Sequence, residues 1–303
     1  MDWLFALVVI AVWGINFVVM KWGLQETSPL LLCALRFAAA SLPLLFFVRP
    51  PSQVPWRWLA GYGLVQGVGQ FGLLFVGMHI GMPAGLASVV LQTQAFLSLL
   101  LAAFLLRERP RSWQWMGLCI ATVGLVTIGS AQGEGPAQMA LLGFLCTVGA
   151  AAMWACANLM TRHIASFGSY EPVPFLVWSS VFPILPLVGM SVWLEGGAGH
   201  LWHQVQSMTW QGWGVVAYLA FISTLLGYGL WTNLLQRYPA STVAPLSLLV
   251  PVVGLLSAIG LLGEFPNAVQ WTGIAAVLLG MLVNQFGGRV AHRIFRKEHG
   301  NDS

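Results

Sequence analysis

Charge is what this sequence has least of. Of 303 residues, 13 are Lys or Arg and 9 are Asp or Glu, so 7% carry charge, against about 25% in ordinary soluble domains. So few charges cannot cover a water-facing surface, which excludes a soluble globular protein. The net charge of +4 therefore informs on topology rather than on nucleic acid, and no nucleic-acid partner is expected. Cysteine is scarce too. Cys33, Cys119, Cys146 and Cys156 all lie inside apolar runs, and no pair has the two-residue spacing of a redox or zinc site. No HExxH, GxSxG or aspartate pair occurs, and His79, His163, His200, His203, His292 and His299 are scattered near span ends or in loops. Neither a metal, a cofactor nor hydrolytic chemistry is expected, and the chain is not read as an enzyme.

What the chain has instead is apolar residues, at 58%, a mean hydropathy of +0.79, 34 Gly and 15 Trp. That is the composition of an all-α membrane protein. Apolar runs of near-spanning length fall at Trp3 to Met20, Pro29 to Phe47, Trp58 to Met78, Pro83 to Leu106 and Trp113 to Ile128. After a polar break at Ser130 to Gly135 come Ala137 to Met160, Val173 to Leu194, Trp213 to Leu235, Ser241 to Leu262 and Val269 to Phe286. At about 20 residues per crossing, ten spans leave no room for a soluble catalytic domain.

The cations orient these spans. With the N-terminus inside, Arg49, Arg57, Arg107, Arg109, Arg111, Arg162, Arg237, Arg289, Arg293, Arg296 and Lys297 all fall on the cytoplasmic side. Only Lys21 falls outside, and Arg36 lies within the second span. That asymmetry predicts two cytoplasmic termini. No basic region precedes the first apolar run, so a cleaved leader is not expected. The last four cations recur at i, i+4, i+7 and i+8, which on a helical tail over residues 288–303 would put them on one face toward anionic lipid.

The two halves repeat. Leu105 to Gly117 (LLRERPRSWQWMG) and Leu261 to Gly273 (LLGEFPNAVQWTG) agree at seven of thirteen positions with an offset of 156, and Pro83-Ala84 against Pro239-Ala240 keeps that offset. Trp13 and Trp154, each shortly before an Asn (Asn16, Asn158), repeat at 141. Residues 1–130 and 137–287 thus read as two five-span units. Five is odd, so the second unit enters the membrane from the other side, and this 5+5 inverted repeat predicts alternating access. Glu108 would then end span four inside and Glu264 would end span nine outside.

Gly67-Val68-Gly69-Gln70-Phe71-Gly72 fits the dinucleotide pattern GxGxxG, but it lies in an apolar span with no strand before it. Close helix packing explains it better. Asn301-Asp302-Ser303 fits a glycosylation acceptor in a tail predicted to be cytoplasmic, so it carries no information. His79 is read as interfacial, with a gate or proton-handling role as the alternative.

Arg36 is the residue that most needs explaining. A cation seven residues into an apolar helix costs about 3 kcal/mol on insertion scales, and no acid lies in any predicted span. It either snorkels or bonds to carbonyls of a broken helix, or it offers its guanidinium fork to a substrate carboxylate. Neutral polar residues recur at cavity-lining spacing. Gln66 and Gln70 share a face of span three, and Ser88 and Gln92 share one of span four with Gln94 on another side. Thr224, Tyr228 and Trp231 form a stripe on span eight. Each of these suits interhelical hydrogen bonding as well as a wet path. Pro245 and Pro251 should distort span nine and free carbonyls that protein or water must satisfy.

Trp13-Gly14-Ile15-Asn16-Phe17, Leu35-Arg36-Phe37, the Glu108 and Glu264 span endings and the ten-span duplicated plan together resemble the EamA-type branch of the drug/metabolite transporter superfamily, over the whole length. Gly81 to Phe96 and Ala244 to Leu255 are similar to its members that export O-acetylserine and cysteine. This implies an inner-membrane carrier moving small amino-acid metabolites outward, with Asn16, Arg36 and the Gln92 to Gln94 segment at the central cavity. Many superfamily members have proline in span four where this chain has Ala95. From their spacing and type, Gln66, Gln70, Trp154, Asn158 and Tyr228 join the candidate substrate-binding set. The expected partners are a small-molecule substrate and membrane lipids, and the oligomeric state stays open. A multidrug or other metabolite exporter is the nearest alternative, and an intramembrane enzyme of lipid metabolism the more distant one. With no Asp or Glu in a span, proton antiport would have to use His79, an end carboxylate such as Glu264 or the substrate itself, and export down a gradient is equally consistent.

Overall fold

A computed structural model describes residues 3–131, 139–238 and 240–298, and among them every regular element is helical. Nine helices there are long and apolar enough to cross a membrane: Trp3–Glu26, Trp56–His79, Ala84–Leu105, Ser112–Ser130, Leu141–Phe167, Pro172–Leu194, Trp210–Leu234, Pro245–Leu262 and Ala268–Gly288. The remaining span is shorter than expected. Its helix covers Pro29–Ser41 and then dissolves into turns over residues 42–47, where Pro43 has no N–H to continue the ladder and Ser41 Oγ turns back to the Phe37 carbonyl. Counting it, the described residues hold ten helical segments, in line with the ten expected spans. They are numbered one to ten here in chain order.

Local signals set the ends. Pro29 and Pro172 open spans two and seven in the first turn, where a missing N–H costs nothing. Gly263, at φ +68°, closes span nine in a left-handed conformation. Span six begins at Leu141 and holds α-geometry to Ile164, later at both ends than expected, and the expected start at Ala137 lies outside the described residues. Span ten runs on as one helix to Glu298, so the tail backbone is helical. The tail cations' side chains and the Asn301 to Ser303 tripeptide lie outside the described residues.

The helices are broken where the cavity will be. Span three widens to a π-helix over Val65–Gly72 and span eight over Tyr218–Leu226, and the two stretches overlap when shifted by 156. Span four breaks at Gln92 and Thr93, between Ala84–Leu91 and Gln94–Leu105, while span nine starts with a 3₁₀ turn over Ala244–Leu248. Pro251 lacks the N–H that would bond the Ser247 carbonyl. Gln92 Nε2 donates to that carbonyl at 3.2 Å, and Ser88 Oγ donates to the Pro251 carbonyl at 3.3 Å. Gln92 of span four thus bonds the carbonyl that Pro251 frees in span nine, and Ser88 adds a second bond between the two spans.

Spans five and ten pack backbone to backbone. A Cβ on Gly117 would meet the Gly280 carbonyl, and one on Gly124 the Gly273 carbonyl, each at 2.6 Å. These contacts rise along one helix as they fall along the other, so the pair is antiparallel. Because Gly117 corresponds to Gly273 and Gly124 to Gly280, equivalent helices cross with opposite directions, which is the geometry of an inverted repeat. Other pairs follow suit: span one packs on spans eight and nine as span six packs on spans three and four. Gly67 of the GxGxxG run lies against Pro183 and Gly69 against Met153, as close helix packing requires.

Candidate functional site

A cavity of about 520 Å³ lies between the two halves. Its wall includes all nine residues singled out from sequence: Asn16, Arg36, Gln66, Gln70, Gln92, Gln94, Trp154, Asn158 and Tyr228. Gln94 corrects an expectation. On an unbroken helix it would face away from Gln92, but the break at residues 92 and 93 resets the helix and brings both to the wall.

Arg36 is 1% exposed, so it does not snorkel. Its Nε and Nη2 both donate to Thr224 Oγ1, at 3.2 and 3.0 Å, and its guanidinium lies 4.0 Å from the centroid of the Phe71 ring. Thr224 in turn donates to the Leu219 carbonyl at 2.8 Å, five residues back, a partner that the π-helix makes available. One face of the cation is stacked and one edge is tied to a neutral hydroxyl. Nη1 has no partner, and among the described residues the cavity wall contains no Asp or Glu. Cation–π contact recovers about 2 kcal/mol when desolvated, less than a buried charge needs, so the empty site is left with an unmet demand for an anion.

The amides are held differently. Gln66 Nε2 donates to the Tyr228 hydroxyl at 3.3 Å, and Asn158 Nδ2 donates to Gln94 Oε1 at 2.7 Å. Asn16 Nδ2 reaches the Met20 sulfur at 3.2 Å, while its Oδ1 and the Oε1 of Gln70 have no partner. Each buried orphan of this kind costs about 1–3 kcal/mol. Sequence reasoning passed over Tyr62, Thr161, Tyr170, Ser223 and Ser247, which also line the wall. An aromatic or hydroxyl in an apolar run reads as belt or filler. Trp13 and Trp231 extend the aromatic wall, Trp13 lying 5.1 Å from Tyr228 and 5.5 Å from Trp231, with its Nε1 donating to the Ser223 carbonyl at 3.1 Å.

The cavity wall extends to Thr161, Tyr170 and Pro172, at the end where span one begins. The opposite end is stitched shut. Lys21 Nζ donates to the Met78 carbonyl at 3.2 Å, Gly85 N donates to Glu264 at 3.2 Å and Leu30 N donates to Glu195 at 2.9 Å. Gln204 Oε1, on the connecting helix Gly197–Ser207, accepts from Thr27 Oγ1 and Ser28 N. Burial pushes the Glu264 carboxyl above the usual carboxylate range, partly offset by the Gly85 N–H. His79 is exposed and lines a separate hollow at that end, away from the central cavity. At the open end Glu108 pairs with Arg162 at 2.7 Å across an exposed surface.

The EamA-like transporter family model matches residues 2–130 and again 141–285. A protein of Salmonella typhimurium named "Probable amino-acid metabolite efflux pump" is 45% identical over 95% of this chain and 96% of its own length. A protein of the same name from Escherichia coli K12 is 43% identical over the same shares. One solved crystal structure, 21% identical in sequence, matches 93% of this chain and 96% of its own with a TM-score of 0.61, and so shares the fold.

Proposed function

This chain belongs to the EamA-like transporter family, and from that premise we propose that it is an inner-membrane exporter of small amino-acid metabolites, of which O-acetylserine and cysteine are the type. The multi-pass helical body and the efflux-pump relatives point to a transporter rather than an enzyme. One observation carries the substrate class. A fully buried Arg36 faces a cavity without an acid in its wall, so the ligand itself brings the negative charge. A carboxylate matches the planar fork, two parallel N–H donors to two oxygens. A cationic drug would meet repulsion in the same place.

The orientation follows from the cation asymmetry, which puts the N-terminus and the open end in the cytoplasm. The state described here is then inward-open, ready to load from the cytoplasm, with the outer end held by Glu264, Glu195, Lys21 and Gln204. Two halves of opposite direction can exchange conformations, so an outward-open state of comparable energy is built into the repeat. Alternating access needs nothing further from the fold. The residues proposed to bind substrate are the nine already named, with Arg36 as the carboxylate anchor. The test is to load proteoliposomes with labelled cysteine, O-acetylserine and a cationic dye and to follow efflux. Efflux of both amino acids with retention of the dye is expected, and efflux of the dye alone would replace this reading with a multidrug carrier.

A further inference from the structure

Among the described residues seven buried side-chain atoms lack a hydrogen-bond partner, and three of them belong to residues in the wall of the central cavity: Arg36 Nη1, Asn16 Oδ1 and Gln70 Oε1. Their residues are 1%, 7% and 2% exposed. Buried polar groups are ordinarily paired, so each unpaired one calls for an explanation, and at a cavity wall a ligand can supply it. Here the set has a definite chemistry, one cationic donor and two neutral acceptors. We propose that these three atoms form a subsite for a zwitterion, the carboxylate on Arg36 and the ammonium shared by the Asn16 and Gln70 amide oxygens. The inference rests on the carboxylate-exporter reading above and deepens it, because a carboxylate alone would leave both acceptors unmet.

The choice of amides over acids at the ammonium end follows from Arg36. An Asp or Glu there would pair with the guanidinium in the empty cavity and shut the carboxylate out. A neutral oxygen accepts an ammonium N–H without competing for the cation. Asn16 Nδ2 is already spent on the Met20 sulfur, which leaves its oxygen as the group on offer. The aromatic wall of Trp13, Tyr228 and Trp231 adds ring faces toward which a third ammonium N–H can turn. The three orphan atoms are shut from solvent in the empty cavity, so ligand entry must draw them out.

Competition in proteoliposomes holding the full chain tests this with two probes. N-acetylcysteine keeps the carboxylate and loses the ammonium, and cysteine methyl ester does the reverse. Against labelled cysteine, each is expected to inhibit at least ten times more weakly than unlabelled cysteine. In Asn16→Ala/Gln70→Ala the N-acetylcysteine penalty should collapse toward one while the methyl ester penalty remains. N-acetylcysteine competing as well as cysteine in the unsubstituted protein would overturn the ammonium subsite alone, with no variant needed. An unchanged penalty in the double variant would do the same. No cysteine efflux, with no inhibition by any carboxylate, would overturn the exporter reading and the subsite together.

Discussion

The two halves share a backbone plan but not a chemistry. The first contributes Arg36 and most of the amides, Asn16, Gln66, Gln70, Gln92 and Gln94, to the cavity wall. The second contributes Trp154, Tyr170, Tyr228 and Trp231 with the hydroxyls of Ser223 and Ser247. Positions related by the 156 offset show the divergence: Gln66 corresponds to Ile222, Gln70 to Leu226 and Gln92 to Leu248. The repeat thus keeps the helix geometry while the amides of the wall are concentrated in the first half.

The largest expected effect comes from Arg36, the cation that the first half brings to the wall. Arg36→Lys keeps the charge and loses the fork, and removing charge-assisted bonds worth about 1.5–3 kcal/mol should raise the KM for cysteine by about ten- to a hundred-fold with insertion unchanged. Normal transport by that variant would show that the first half's cation is structural. Next is Gln92→Leu, which makes span four resemble its counterpart. It removes the amide that bonds the Ser247 carbonyl, so a stability loss of about 1 kcal/mol should appear as a lower thermal midpoint of the purified protein. Thr224→Val removes the second half's hold on Arg36 and should raise KM several-fold, while Thr224→Ser keeps the hydroxyl and should restore it.

How far these features were legible in sequence depends on the period each one leaves. Ten spans, their reversal at the midpoint and the repeat were readable because length, charge and offset survive in one dimension. The π-helices of spans three and eight were not, because a shift from i−4 to i−5 bonding changes no residue type. The break at Gln92 was equally silent, and it moved Gln94 to the cavity wall. Pro245 and Pro251 did announce distortion, but only the structure gave the span-four partners that make it tolerable. Tyr62 and Tyr170 had no signal apart from being aromatic.

The smallest effect belongs to the ends. Arg162 holds the Glu108 carboxyl below its usual range by a hydrogen bond, so this pair contributes stability above the free carboxylate value and loses it as pH falls through the lowered one. Both side chains are about half exposed, at 57% and 49%, so solvent screens the pair. Glu108→Gln should flatten that acid-side dependence with little change at neutral pH. At the other end Glu264 is buried and caps Gly85, and Glu264→Ala should shift the population away from the inward-open state, read as increased outside labelling of a single cysteine at Ser88.

The most direct test of the account pairs a substrate change with a residue change. Efflux of cysteine and of its decarboxylated counterpart cysteamine is compared in the unsubstituted protein and in Arg36→Lys. The account predicts a preference for cysteine of at least tenfold that falls toward one in the variant, because the carboxylate and the fork are two sides of one interaction. A preference that survives Arg36→Lys undiminished would contradict it.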